Sequence, residues 1–266
     1  MQNLLYALAG TAALALALPQ AAEAEIILEL EESDGDEIYP VQMLIASGKL
    51  AALDEEGDVE MIFDRATATI YTLDHDARSF TRLNRENISE LVGQVDSAMA
   101  EMRRQLEALP PEQREMAERM MGGMMGNAGA ATERPARSMR PTGTRGEAAG
   151  IRCDWHDVFV GDEQVGTACV AAPDAVPGGE ELIAMMTAMS EIYDELLDRI
   201  ADSVPMAMPA NPIMPMTEAG GLPIRSTEMT EDDTEMQITL LAVREEAVDP
   251  SLFEIPAGYR EASFDD

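Results

Sequence analysis

Paired methionines are the residues of this sequence whose type and spacing could bind a metal ion. Met206 and Met208 form one M-x-M pair, and Met214 and Met216 form a second in the same proline-containing loop. Thioether sulfur is a soft ligand that suits Cu(I). The alternative is packing, because flexible methionine side chains fill irregular apolar space and line surfaces that accept varied ligands. The loop is therefore interpreted either as a Cu(I) site or as part of an apolar surface, and no cofactor is expected elsewhere.

The two cysteines are placed for a disulfide. Cys153 and Cys169 lie on either side of a turn at 161–163, in segments 151–160 and 165–172 that have the pattern of two strands. A two-residue loop would put the two side chains on opposite faces of the hairpin, whereas a longer loop or a bulge would put them on the same face. A redox or metal-binding pair is disfavoured because the C-x-x-C spacing is absent. We expect a structural disulfide.

The sequence contains few residues that are candidates for catalysis. Of the two histidines, His75 lies in an acidic turn and is expected to be solvated, while His156 is expected on the strand face opposite Cys153. The sequence has no nucleophile elbow, zinc-protease motif, phosphate-binding loop or dinucleotide fingerprint. The acidic run at 33–37 lacks the full calcium-loop pattern and is interpreted as a turn. We therefore predict that the protein is not an enzyme.

The overall charge argues against several classes of partner. The chain has 266 residues, with 51 acidic and 18 basic side chains, and a formal net charge of −33. Binding of nucleic acid or docking on an anionic membrane requires a basic surface, so neither is expected. Hydrophobic residues make up 46% of the chain, which is sufficient for a folded core.

Residues 1–24 have the pattern of a signal peptide. A short apolar run of Leu and Ala ends at Pro19, and Ala22 and Ala24 occupy the −3 and −1 positions of a cleavage site. Residues 1–3 carry no basic side chain, which departs from the usual pattern, and a buried N-terminal helix is the alternative. We predict cleavage near Ala24, a mature chain that starts at Glu25, and a periplasmic location. No later segment is long and apolar enough to span a membrane.

Short strands separated by polar turns are predicted over 25–84, with a first strand at 25–31 and a second at 41–50. The spacing of apolar residues changes at Glu86, after which they recur every three or four positions. This pattern predicts an amphipathic helix with Asn84 as its N-cap, and a coiled coil is the alternative. The apolar stripe consists of Ile88, Val92, Val95, Met99, Met102, Leu106 and Leu109.

The second half repeats this alternation of strands and a helix. After Pro111 a further helix is predicted, followed by a flexible linker at 122–150 that is rich in Gly, Ala, Pro and Arg. A second amphipathic helix is predicted at 180–203 and a hairpin at 224–245. The tail is predicted to cover a sheet edge with Leu252, Phe253 and Tyr259.

The order of several short motifs resembles the exported bacterial family catalogued as domain of unknown function 4412. In the first half these motifs are Phe63-Asp64, Asp74-His75, Phe80-Thr81 and the segment 109–114. In the second half they are the segment 153–165, Cys169-Val170-Ala171 and the closing segment 252–259. The resemblance implies a periplasmic protein without an assigned activity, and no catalytic residues come with it. The family's outline is similar to that of the periplasmic lipoprotein carriers LolA and LolB.

We therefore predict an α+β fold, a curved antiparallel β-sheet or half-barrel covered by amphipathic helices in a LolA/LolB-like manner. After the signal peptide at 1–24, residues 25–266 are expected to form a single domain. Its parts are strands and a helix at 25–121, the flexible linker at 122–150, and a hairpin, helix and strands at 151–266.

The predicted function is the non-enzymatic binding or carriage of an apolar ligand, such as a lipid or a lipoprotein segment, in a cavity beneath the helices. Residues predicted to line the cavity are Met99, Met102, Leu106, Met185, Met189 and Ile192. The alternatives are a Cu(I)-binding protein that uses the methionine loop and a protein whose heptad helix binds an envelope partner.

Overall fold

The computed structural model describes residues 25–35, 37–110, 113, 135–203, 209–213, 215–230 and 234–263. The predicted signal peptide, the predicted helix after Pro111 and the first part of the predicted linker lie outside the described residues. Within the described part of the chain, no helix is long and apolar enough to cross a membrane.

One sheet dominates the fold. Its strands are β1 (Glu25–Asp34), β2 (Glu37–Ala46), β3 (Lys49–Leu53), β4 (Val59–Asp64), β5 (Thr69–Asp74), β6 (Ser79–Leu83), β7 (Arg137–Ala148), β8 (Ile151–Val160), β9 (Glu163–Ala171), β10 (Leu222–Met229), β11 (Glu235–Glu246) and β12 (Arg260–Glu261). The 12 strands have the order β12-β6-β5-β4-β3-β2-β1-β11-β10-β9-β8-β7. The helices are α1 (Arg85–Ala108), α2 (Gly179–Ser203) and α3 (Met216–Ala219), with 3-10 turns at Pro173–Ala175 and Pro250–Phe253.

The predicted fold class is wrong. The sheet is mixed, because β12 pairs with β6 in the parallel direction, and strands outnumber helices throughout the described residues. Amphipathic helices do not cover it as a layer. Helix α1 contributes Ile88 and Val92 to the core, but among the described residues Val95, Met99 and Met102 belong to no apolar cluster. Periodicity shows that a helix has an apolar stripe, but it does not show which surface covers that stripe.

Helix α2 packs on one face of the sheet, which we call the α2 face. Paired residues of antiparallel strands share a face, so the register from β1 to β6 defines one row of side chains on it. The row consists of Ile26, Ile45, Leu50, Phe63, Ile70 and Leu83. Met185, Met189 and Ile192 of α2 are buried in the same cluster. This row and α2 form the main core.

The C-terminal tail covers the opposite face of the same strands. Phe253 and its neighbour Leu252 pack against a second cluster that includes Ile27, Leu44 and Ile62. The tail then continues into β12, which extends the sheet beside β6. The sequence predicted that this tail covers a sheet edge, and the structure gives it a larger role, because it buries a sheet face as well.

His75 connects the tail to the sheet and is not the solvated residue that the sequence predicted. One ring nitrogen, Nε2, lies 2.8 Å from the carbonyl oxygen of Val59 and must donate, because a carbonyl oxygen only accepts. In the neutral imidazole, Nδ1 then accepts a hydrogen bond from the Tyr259 hydroxyl at 2.6 Å. The two rings also meet edge to face, with centroids 5.7 Å apart.

Replacing Tyr259 with phenylalanine is expected to lower the free energy of unfolding by about 1 kcal/mol, the usual value of one hydrogen bond. Urea unfolding measures this change, and Tyr71→Phe is the matched control because its ring contacts Phe80 and lies in the same cluster. If the two variants were equally stable, the hydrogen bond to His75 would not hold the tail in place.

Local signals predicted several elements and missed two. Asn84 caps α1 by accepting hydrogen bonds from the backbone amides of Glu86 and Asn87, as predicted. The predicted second strand at 41–50 is confirmed over 41–46 and wrong after it, since Ser47 and Gly48 turn the chain between β2 and β3 with φ of 49° and 77°. The predicted linker is wrong over Arg137–Ala148, which form β7.

Candidate functional site

The α2 face continues beyond the buried row toward the hairpin tips. Leu28, Met43, Ala52 and Met61 form the next row across β1 to β4. The row after it contains Leu240, Leu30 and Val41. Ile238 and Met236 of β11 extend this face further, because alternate residues of a strand point the same way.

Part of this continuing face is incompletely buried. We call it the open patch and define it as Leu30, Val41, Met43, Met61, Met236 and Ile238. Its side chains are half-buried, except for Ile238, which is 37% exposed. Leu30, Met43 and Met61 also touch the main core, so the patch is a continuation of the core surface that reaches solvent.

The far end of the sheet curls toward the same face. Cα atoms of β7 come within 8 Å of β11, although β8, β9 and β10 lie between these strands in the sheet. In a flat sheet, neighbouring strands are ~4.8 Å apart, so β7 and β11 would be ~19 Å apart. Bulges in the pairing of β7 with β8, β8 with β9 and β9 with β10 bend the strands and account for part of this curl.

An ion pair holds the curl closed. Arg137 of β7 donates from Nη1 to both carboxylate oxygens of Glu228 on β10, at 2.7 and 2.6 Å. Its Nε donates to the carbonyl oxygen of Asn211, at 3.2 Å. The Asn211 side chain in turn donates to Ser190 on α2. One arginine therefore connects the edge strand, β10 and the segment that follows α2.

The disulfide is present and lies inside this part of the molecule. Cys153 and Cys169 are joined, with their Cα atoms 5.3 Å apart, and both are buried. The turn has two residues, Gly161 and Asp162, and the bulge beside Val158 compensates for it, so that the two cysteines share a face. A buried disulfide between neighbouring strands is structural.

Acidic side chains border the open patch. Glu32 and Asp34 follow Leu30 on the same face of β1, and they pair with Tyr39 and Glu37 of β2. The Tyr39 hydroxyl donates a hydrogen bond to the Glu37 carboxylate. This bond stabilises the neutral phenol and raises the pKa of Tyr39, and the negative charges of Glu37, Asp34 and Glu55 raise that pKa further. Within the described residues, no three His, Cys, Asp or Glu side chains are grouped as metal ligands.

Two crevices differ in character from the open patch. One, of about 620 Å³, is bordered by Glu25, Arg65 and Glu181. The other, of about 340 Å³, is bordered by Arg82, Glu90 and Glu261 among others. The charged side chains at both crevices make them poor sites for an apolar molecule.

The structure separates the residues that the sequence grouped as a ligand cavity. Met185, Met189 and Ile192 are buried in the main core. Met99, Met102 and Leu106 lie on α1, where Met102 is 42% exposed. Of the four methionines predicted for Cu(I), Met206, Met208 and Met214 lie outside the described residues, and Met216 packs against the core.

The sequence did not predict the open patch. The alternation of Leu28, Leu30 and Glu32 was visible, but only the register shows that methionines of β2 and β4 share their face. His156 lies on the face of β8 opposite Cys153, as expected, and it is buried with its Nδ1 3.0 Å from the carbonyl oxygen of Asp154.

Comparison with known proteins adds little. No protein-family model matches the chain, and no curated protein matches it significantly. A solved structure of a LolA superfamily protein from Nitrosomonas europaea is similar over 88% of this chain and 91% of that chain, with 7% sequence identity and a TM-score of 0.29.

Proposed function

We propose that the protein is an exported, non-enzymatic binding protein for an apolar ligand, such as the acyl chain of a lipid or a lipoprotein segment. The open patch is the observation that carries this proposal. Its six apolar side chains come from β1, β2, β4 and β11 and lie on one face, continuous with the core. Burial of apolar surface contributes about 25 cal/mol per Å².

The composition of the open patch favours a ligand of variable shape. Three of its six residues are methionines, Met43, Met61 and Met236. Methionine is unbranched and polarizable, so it adapts to different apolar partners more readily than a branched side chain does. An acyl chain has this kind of variable surface, which supports it as the ligand class.

Two features support export. The disulfide fits an oxidising compartment such as the periplasm. The sequence pattern of residues 1–24 supports cleavage near Ala24. We also propose, from the order of the short motifs, that the chain belongs with the exported family of domain of unknown function 4412.

Titration with dodecyl maltoside below its critical micelle concentration tests ligand binding, because this probe has an apolar chain and no charge. Ile238→Glu places a carboxylate in the open patch and is expected to weaken binding at least tenfold, or about 1.4 kcal/mol. Ile238 is already 37% exposed, so the folded state should tolerate the change.

The matched control is Ile38→Glu, which adds the same charge on a side chain that is 62% exposed. Ile38 pairs with Ser33 and therefore lies on the face opposite the open patch. This variant should bind as the unmodified protein does. Equal affinities for Ile238→Glu and Ile38→Glu, or no binding by the unmodified protein, would contradict the proposal.

A further inference from the structure

Along β1 and β2, the α2 face changes from apolar to acidic beside the open patch, and on β11 Ile238 and Met236 pair with the acids Glu32 and Asp34. Leu28, Leu30, Glu32 and Asp34 alternate along β1 on the α2 face. Successive members are ~6.7 Å apart, so the first carboxylate lies one step beyond Leu30 along β1, and the whole run covers ~20 Å. An extended chain lying along β1 would therefore place one end beside these acids.

Several carboxylates act together at that end. Glu37 pairs with Asp34 across β1 and β2, so its side chain lies on the same face. The pKa of Tyr39 is raised first by its hydrogen bond to Glu37, and also by the negative charges of Asp34 and Glu55. Glu32, Asp34 and Glu37 therefore lie together on the α2 face, at the end of β1 and the start of β2.

Arg137 and Arg244, which lie near β11, are held by other carboxylates. Met236 pairs with Glu228 of β10, and the Glu228 carboxylate is already bound by Arg137. On β11, Arg244 pairs with Glu29 and Glu246 instead, and its register partner Ile27 belongs to the opposite face. Both arginines are therefore paired with carboxylates other than Glu32 and Asp34.

We propose that the open patch selects amphiphiles whose head group is cationic, with the apolar chain on Leu30, Met43 and Met61 and the head group beside Glu32 and Asp34. This inference rests on the proposed function, because it requires that an apolar chain binds the patch. What it adds is the orientation of the ligand and the sign of its head group.

The test compares three probes with the same twelve-carbon chain: dodecyltrimethylammonium, dodecyl maltoside and dodecylsulfonate. Each is titrated as monomer, below its critical micelle concentration and at constant ionic strength, because salt screens charge interactions. The cationic probe is expected to bind at least tenfold more tightly than the anionic probe, with the neutral probe between them.

The net charge of −33 attracts any cation, so the variants must separate local from global charge. Glu32→Gln removes a carboxylate at the patch, and Glu31→Gln removes the same charge from the neighbouring residue, on the opposite face of β1. Glu32→Gln should lower the affinity for the cationic probe about threefold relative to the affinity for dodecyl maltoside. Glu31→Gln should change neither.

The outcomes distinguish this inference from the proposed function. Absence of dodecyl maltoside binding would overturn the proposed function and this inference with it. If dodecyl maltoside binds but the protein has equal affinity for all three probes, the inference alone is overturned. So would an equal effect of Glu32→Gln and Glu31→Gln overturn it, since global charge would then account for the preference. Circular dichroism of both variants, which alter exposed or half-buried side chains, checks that they fold.

Discussion

Replacing Arg137 with methionine is expected to lower the free energy of unfolding by about 3 kcal/mol, because breaking a largely buried ion pair leaves one charge without compensation. Only 15% of the Arg137 side chain and 20% of the Glu228 side chain are exposed. The substitution would leave the Glu228 carboxylate without its bidentate partner and remove the donor to the Asn211 carbonyl oxygen. Urea unfolding followed by circular dichroism measures the loss.

The double variant Arg137→Met with Glu228→Met separates the ion pair from the packing. It should recover most of the stability, because a buried pair can often be replaced by apolar side chains at little cost. Arg145→Met is the control on the same strand. The Arg145 side chain is 91% exposed, and its Nε lies 3.9 Å from Oδ1 of Asp154, so this ion pair is a surface pair. It should change stability by no more than about 0.5 kcal/mol. A loss at Arg137 no larger than at Arg145 would show that the ion pair does not hold the curl.

Removing the disulfide by Cys153→Ala with Cys169→Ala is the second large effect that we expect. The two cysteines are 16 positions apart, and closing a loop of this size stabilises a fold by about 3 kcal/mol in the chain-entropy model. Both residues are buried, so the lost packing of sulfur adds to the effect. Chemical denaturation of the double variant and the unmodified protein, both without reductant, measures the difference.

Reductant supplies the control for this prediction. Adding it should lower the stability of the unmodified protein and leave the double alanine variant unchanged. If the unmodified protein had the same unfolding midpoint with and without reductant, the disulfide would not contribute to stability in the way that we describe.

Elements with strong local signals were predictable from the sequence. Helix α1 begins directly after Asn84, whose side chain caps it, and the hairpin of β8 and β9 turns at Gly161. The disulfide followed from the position of one cysteine on each arm. Each of these depends on residues that are close in the chain, which is the information that a single sequence carries best.

The elements that were wrong depend on distant partners. Strand β7 contains Pro141 and Gly143, which indicated a linker, yet it pairs with β8 through a bulge at that position. The stripe of α1 gave no indication that only its first turns reach the core. The sequence predicts only that the tail covers an edge of the sheet. The apolar face that the tail also covers forms only when β1 to β5 are paired.

The location of the candidate site also depends on residues that are distant in the sequence. The sequence indicated apolar binding and drew attention to methionine, but it placed the ligand beneath the helices. Met185 and Met189 are core residues, whereas Met43 and Met61 reach the open patch. This distinction could not be predicted, because it depends on where α2 stops covering the sheet.

The most direct test is nuclear magnetic resonance of the protein labelled at the methionine methyl groups, because methionines lie in the open patch, in the main core and on α1. On addition of dodecyl maltoside below its critical micelle concentration, we expect the signals of Met43, Met61 and Met236 to shift, while those of Met185 and Met189 stay unchanged. Shifts confined to Met99 and Met102 on α1, with none in the open patch, would contradict this account.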